Sequence, residues 1–109
     1  MSSGFQGKAK PAAATWTNIY IIPTGKIASF SINATNQADV PSNIDFVIST
    51  SSTSGGISAT EYIEFAAPLA SIGSNLERTG LVSDDINGKY IWVRSSSANV
   101  AFQVYGYEE

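Results

Sequence analysis

The stretch Ile27-Ala28-Ser29-Phe30-Ser31-Ile32-Asn33-Ala34-Thr35 decides how the rest of the chain is read. Ala28, Phe30, Ile32 and Ala34 alternate with Ser29, Ser31, Asn33 and Thr35, so apolar groups recur every second residue. A helix would scatter that pattern round its circumference, whereas a strand sends one set to a dry face and the other to water. Upstream, Thr15-Trp16-Thr17-Asn18-Ile19-Tyr20-Ile21-Ile22 is rich in aromatic and β-branched residues. It stops at Pro23-Thr24-Gly25, a turn signal.

Downstream the period persists. Residues 43–50 place Ile44, Phe46 and Ile48 on one face, and residues 61–65 place Ile63 and Phe65 on one face with Tyr62 on the other. Residues 75–82 form a weaker strand interrupted by Gly80. Asn87-Gly88 carries a hairpin signal, because both residues tolerate positive φ. Residues 89–95 and 100–107 read as a C-terminal pair round the loop 96–99, with Val100, Phe102 and Val104 inward and Gln103, Tyr105 and Tyr107 outward. The expectation is an all-β, antiparallel sandwich of about seven to eight strands, jelly-roll or Ig-like, with a closed small barrel as the alternative. The sandwich occupies residues 15–109. Residues 1–14, with Gly4, Gly7, Pro11 and an alanine run, show neither periodicity and read as an extended N-terminal arm that docks on a partner.

Composition narrows function by exclusion. The chain has neither cysteine nor histidine, which removes disulfides, thiolate chemistry, the commonest metal ligands and the commonest general base. No nucleophile–base pair remains in view, so the expectation is no enzyme and no cofactor. Six basic residues against nine acidic ones, a net charge of −3, leave no basic patch for phosphates and argue against nucleic acid. No apolar run is long enough for a bilayer-spanning helix, and the first residues lack the apolar segment of a secretory signal. Only 14% of residues are charged, about half the usual share; serine and threonine fill the surface instead. Such a surface costs little to desolvate, which suits contact with other subunits.

Asp84, Asp85 and Asn87 offer hard oxygens for calcium, yet the EF-hand spacing is missing and Asp and Asn belong in turns. Glu61 and Glu64 are three apart and so point to opposite faces of a strand, which rules out a glycosidase pair. Glu77 and Arg78 are adjacent, leaving Arg78 to pair with a neighbouring subunit. The polar run 49–60 reads as a surface loop. Trp16, Trp92, Tyr90, Tyr105 and Tyr107 would make a sugar-stacking platform if the fold gathered them; aromatic residues in strands are more often core or interface.

Three stretches, 15–36, 62–82 and 93–109, resemble the small virion-associated structural proteins of tailed bacteriophages. The resemblance covers about residues 12–109. It rests on a threonine-rich strand ending at Pro23 and Gly25, a strand opening with Tyr62 and Glu64, the run Leu76-Glu77-Arg78-Thr79-Gly80, and a last strand through Val104-Tyr105-Gly106. It implies a shared sandwich, nothing about chemistry, and a structural place in the virion on head, neck or tail; the expectation is a capsid decoration or cement protein at subunit seams. Tail, neck, baseplate or fibre attachment is one alternative, and a carbohydrate-binding adsorption module is another. The expected partners are the major capsid protein or tail proteins and further copies of the chain, without nucleic acid or membrane. The partner-contacting residues expected from the arm and the outward face are Phe5, Lys8, Lys10, Pro11, Arg78, Tyr105 and Tyr107.

Overall fold

A computed structural model describes residues 3–71 and 73–109, and for residues 3–6 the backbone alone. The described residues form eight strands: β1 (Ser3–Ala9), β2 (Thr17–Ile21), β3 (Ile27–Asn36), β4 (Ser42–Ser49), β5 (Tyr62–Leu69), β6 (Asn75–Asp84), β7 (Tyr90–Ser95) and β8 (Val100–Glu108). They form two four-stranded antiparallel sheets, β1-β8-β3-β6 (sheet A) and β2-β7-β4-β5 (sheet B). Successive strands change sheet at every connection except β4–β5. This is the double-sheet jelly roll, one of the three architectures that the sequence left open.

The deciding stretch behaves as its period requires. In β3, Ala28, Phe30, Ile32 and Ala34 are buried while Ser29, Ser31, Asn33 and Thr35 are half-buried on the outer face. Val100, Phe102 and Val104 of β8 face the same core. From sheet B come Ile44, Phe46, Ile91 and Val93, joined by Ile22 just beyond β2, all without exposure. Phe46 and Phe102 meet edge to face between the sheets, ring centroids 5.7 Å apart, an arrangement favoured by the aromatic quadrupole. The Pro23-Thr24-Gly25 turn is also as read: Lys26 N donates to Pro23 O (3.1 Å) and Gly25 takes φ +79°, as the third position of a type II turn demands.

Two connections differ from the sequence reading. Asn87-Gly88 is no hairpin: β6 lies in sheet A and β7 in sheet B, and neither residue has positive φ. Asp84 organises the crossing instead. Its Oδ1 accepts Ile86 N (3.0 Å) and Asn87 N (2.7 Å), and these backbone donors, Asn87 first, hold its carboxyl below the usual range. Gly88 is needed for space, since a Cβ there would sit 2.5 Å from the Ile48 side chain. Likewise β7 and β8 do not pair. The loop 96–99 carries the chain from β4 and β7 to sheet A, with Ser96 N on Asn43 O (2.9 Å) and Gln37 N on Asn99 O (2.8 Å). Short loops signal a reversal, but strand partners are chosen by what each face must bury.

One end of the sandwich is closed by Asn36, a fully buried amide. Its Nδ2 donates to Val40 O (2.9 Å), Ala70 O (2.9 Å) and, more weakly, Leu69 O (3.3 Å), and its Oδ1 accepts Ala38 N (2.9 Å). The β3–β4 and β5–β6 connections are thus tied to β3 by a single side chain.

Residues 3–9, within the stretch read as an arm, form strand β1 of sheet A. Their backbone finds its partner within the chain: β1 lies on β8, from Ser3 opposite Tyr107 to Ala9 opposite Phe102. Gly7 makes the close approach possible, because a Cβ there would fall 2.0 Å from Ile19 O of β2.

Candidate contact surfaces

The outward side chains of sheet A form a shallow face of short hydroxyls and amides. Ser29, Ser31, Asn33 and Thr35 run down its middle on β3, with Ser29 between Tyr107 of β8 and Val82 of β6, and Ser31 opposite Tyr105. Asn75 Nδ2 bridges Asn33 Oδ1 (2.5 Å) and Thr35 Oγ1 (3.1 Å). The Tyr105 hydroxyl donates to Glu77 across β3, and that carboxylate, with a lesser contribution from burial, pushes the phenol above its ordinary range. Val82 is 64% exposed and Tyr107 44%, so the lower rim of this face is apolar.

Sheet B presents a different exterior. Asp45, buried on β4, accepts Arg94 Nε (3.0 Å) on one oxygen and Ala66 N (2.8 Å) on the other. Held by Asp45, the Arg94 guanidinium lies over the Trp16 ring, 4.3 Å from its centroid, a cation–π contact. Trp16 meets Tyr62 at 5.9 Å and Tyr62 meets Phe65 at 5.1 Å, both edge to face. Ala66, at φ +50°, sits where the β4–β5 register shifts. The bulge swings Phe65 outward to 73% exposure, away from the face that strict alternation has it share with Ile63. In the sequence Asp45 carries no signal, because an acidic residue on a strand means nothing until its neighbours across the sheet are known.

The polar run 49–60 folds back over this face. Ser51 O accepts Trp92 Nε1 (3.2 Å), and Trp92 is buried. Glu61 anchors the loop, accepting from Ser58 N (2.8 Å), the Ser49 hydroxyl (2.8 Å) and Thr50 N (3.3 Å). Burial pulls the Glu61 carboxyl upward, but these donors together outweigh it and hold the group below its ordinary range. Its contribution is therefore present above the unfolded carboxylate pKa and lost as pH falls through the lower, folded value. Acidification should loosen the loop and change Trp92 fluorescence through that window. Glu61→Gln should abolish the transition; an identical transition in the variant would reject Glu61 as the anchor.

The expected contact residues separate into groups. Lys8 and Lys10 are exposed and flank an open dent of about 260 Å³ with Ala9, Ala101, Phe102 and Gln103. Phe5 pairs with Tyr105 by its backbone, and its side chain lies outside the described residues. Tyr105 and Tyr107 share the same β1/β8 side of sheet A. Pro11 is buried within the chain and is not a free contact residue. Arg78 stands at the opposite edge of sheet A, and its partner is internal: Glu64 of β5, 3.2 Å away, so the pair spans the two sheet edges. The five aromatics of the sugar platform are not gathered. Tyr105 and Tyr107 lie on sheet A, Trp16, Tyr90 and Trp92 belong to the sheet B side, and Trp92 is covered. Asp85, the second acid of the possible calcium turn, accepts Gly25 N (2.8 Å). Among the described residues no group of three or more acidic side chains converges on one point. Compared with known proteins, the chain matches no family model and no curated protein.

Proposed function

We propose that this chain is a structural accessory protein of a tailed-phage particle, with capsid decoration at subunit seams as its role. The observation that supports the reading best is the outer face of sheet A. A central row of Ser29, Ser31, Asn33 and Thr35, rimmed by Tyr105, Tyr107 and Val82, presents tyrosine and apolar area with few charges to desolvate. The jelly roll itself does not discriminate, since capsid proteins, lectins and cupins share it. The sequence resemblance to virion proteins supplies the particle.

The test is binding of purified protein to particles stripped of it. Tyr107→Glu places a charge in the contact and should reduce occupancy at least tenfold while leaving thermal stability within about 0.5 kcal/mol, as expected of a surface change. Full occupancy by the variant would discard sheet A as the contact face. Locating the chain by cryo-EM separates head from tail, since a head lattice carries many copies and a tail ring few. Truncation of residues 2–14 is a poor probe of partner binding, because it also bares the backbone of β8.

A further inference from the structure

The connection between β1 and the rest of the sandwich has the features of a hinge. Pro11 is buried and marks the inner end of β1, whereas Ala12, Ala13, Ala14 and Thr15 are all exposed before Trp16 packs against Arg94. The four residues form a tight turn, with Thr15 N on Ala12 O (3.2 Å) and Ala14 N on Ser95 O (2.8 Å). Ala14 is held at φ +55°, a left-handed conformation that an alanine adopts only under strain. A glycine would relieve it, and so would straightening the turn. Beyond the hinge, β1 is an outermost strand whose hydrogen-bonded neighbour is β8. Its backbone is hydrogen-bonded to β8, Ala9 packs against the core, and at position 7 only glycine allows the close approach to Ile19 O of β2.

We infer that β1 is exchanged between copies of this chain, each copy's Ser3–Ala9 docking on the β8 edge of a neighbour. Every contact that β1 makes in the closed chain is available unchanged on a second copy, because donor and acceptor edges are identical. Exchange therefore costs association entropy and the two hydrogen bonds of the turn, while straightening Ala12–Thr15 releases the strain at Ala14, the condition that favours swapping at short hinges. Extended, the link from Pro11 to Trp16 spans about 17 Å, enough to reach an adjacent copy whose β1/β8 edge lies alongside. A net charge of only −3 offers little repulsion between copies. The inference stands apart from the virion reading and concerns the purified chain by itself.

The absence of cysteine allows a clean test. Lys8 and Gln103 are exposed or half-exposed register partners across the β1–β8 ladder, at a separation that a disulfide spans. Lys8→Cys chains and Gln103→Cys chains are unfolded together, refolded at high concentration and oxidised, and the products are mapped by mass spectrometry. A 8–103 disulfide joining two chains is the expected product. The double variant Lys8→Cys/Gln103→Cys should likewise run as covalent dimers or larger species without reductant. Internal disulfides confined to monomers would overturn the exchange, and so would failure of the two cysteines to pair. Adding Ala14→Gly to the double variant should lower the intermolecular share about fivefold in favour of the internal disulfide; an unchanged share would reject the strained hinge.

Discussion

Replacing Phe102 with alanine will destabilise the sandwich by about 3–5 kcal/mol, the range for a large aromatic removed from a packed core. Phe102 has no exposed surface and projects from β8 of sheet A against Phe46 of sheet B. It is therefore a contact between layers rather than within one. Truncation leaves a void bounded by Phe46 and the Ile and Val side chains around it, and strands tied on both sides cannot close in. A domain of this size has about 5–15 kcal/mol in all, so the variant loses a large part of its margin. The melting temperature should fall by about 12–20 °C. Phe102→Leu, which keeps most of the volume, should cost less than about 1.5 kcal/mol. Equal losses from the two variants would show that the ring does not hold the sheets together.

Asn36→Ala is expected to cost about 3 kcal/mol, through hydrogen bonding instead of volume. The amide satisfies the carbonyls of Val40, Leu69 and Ala70 and the N–H of Ala38 at a site without solvent exposure. Removing it orphans several of these groups at once, and each unsatisfied buried group costs about 1–3 kcal/mol before relaxation. Urea unfolding measures the loss. Asn36→Asp identifies its origin, because a carboxylate has no hydrogens to donate and faces carbonyl oxygens. Burial and those oxygens would raise its folded pKa above the unfolded one, so the protonated form is the stable one. The variant's stability should be greatest below the unfolded carboxylate pKa and fall as pH rises from there through the raised, folded value. A pH-independent deficit would mean that lost packing, not lost donors, explains the effect.

The two positions differ in how visible they were. Phe102 was assigned inward because it alternates with Gln103 and Ala101, and a period of two survives in any pairing of strands. Asn36 is the last residue of the same kind of pattern in β3. Its role depends on carbonyls at Val40, Leu69 and Ala70, brought to it by two other loops. The same division runs through the surfaces. Tyr105 and Tyr107 were placed outward from their alternation with Val104, and they are. Strict alternation puts Phe65 on one face with Ile63, and the Ala66 bulge turns it away from that face into solvent.

Alternation of side-chain character along residues 15–109 was enough to establish that the chain is built of strands, where most of them run, and which side chains of β3 and β8 enter the core. That information is local: a strand's two faces are defined by its own residues, whatever lies beside it. The sheet to which each strand belongs, the internal partner of Arg78, the place of β1 on β8 and the outward turn of Phe65 are properties of pairs far apart in sequence. They are settled by which edges must be hydrogen-bonded and which faces must be dry at the same time, a condition that no single segment can express.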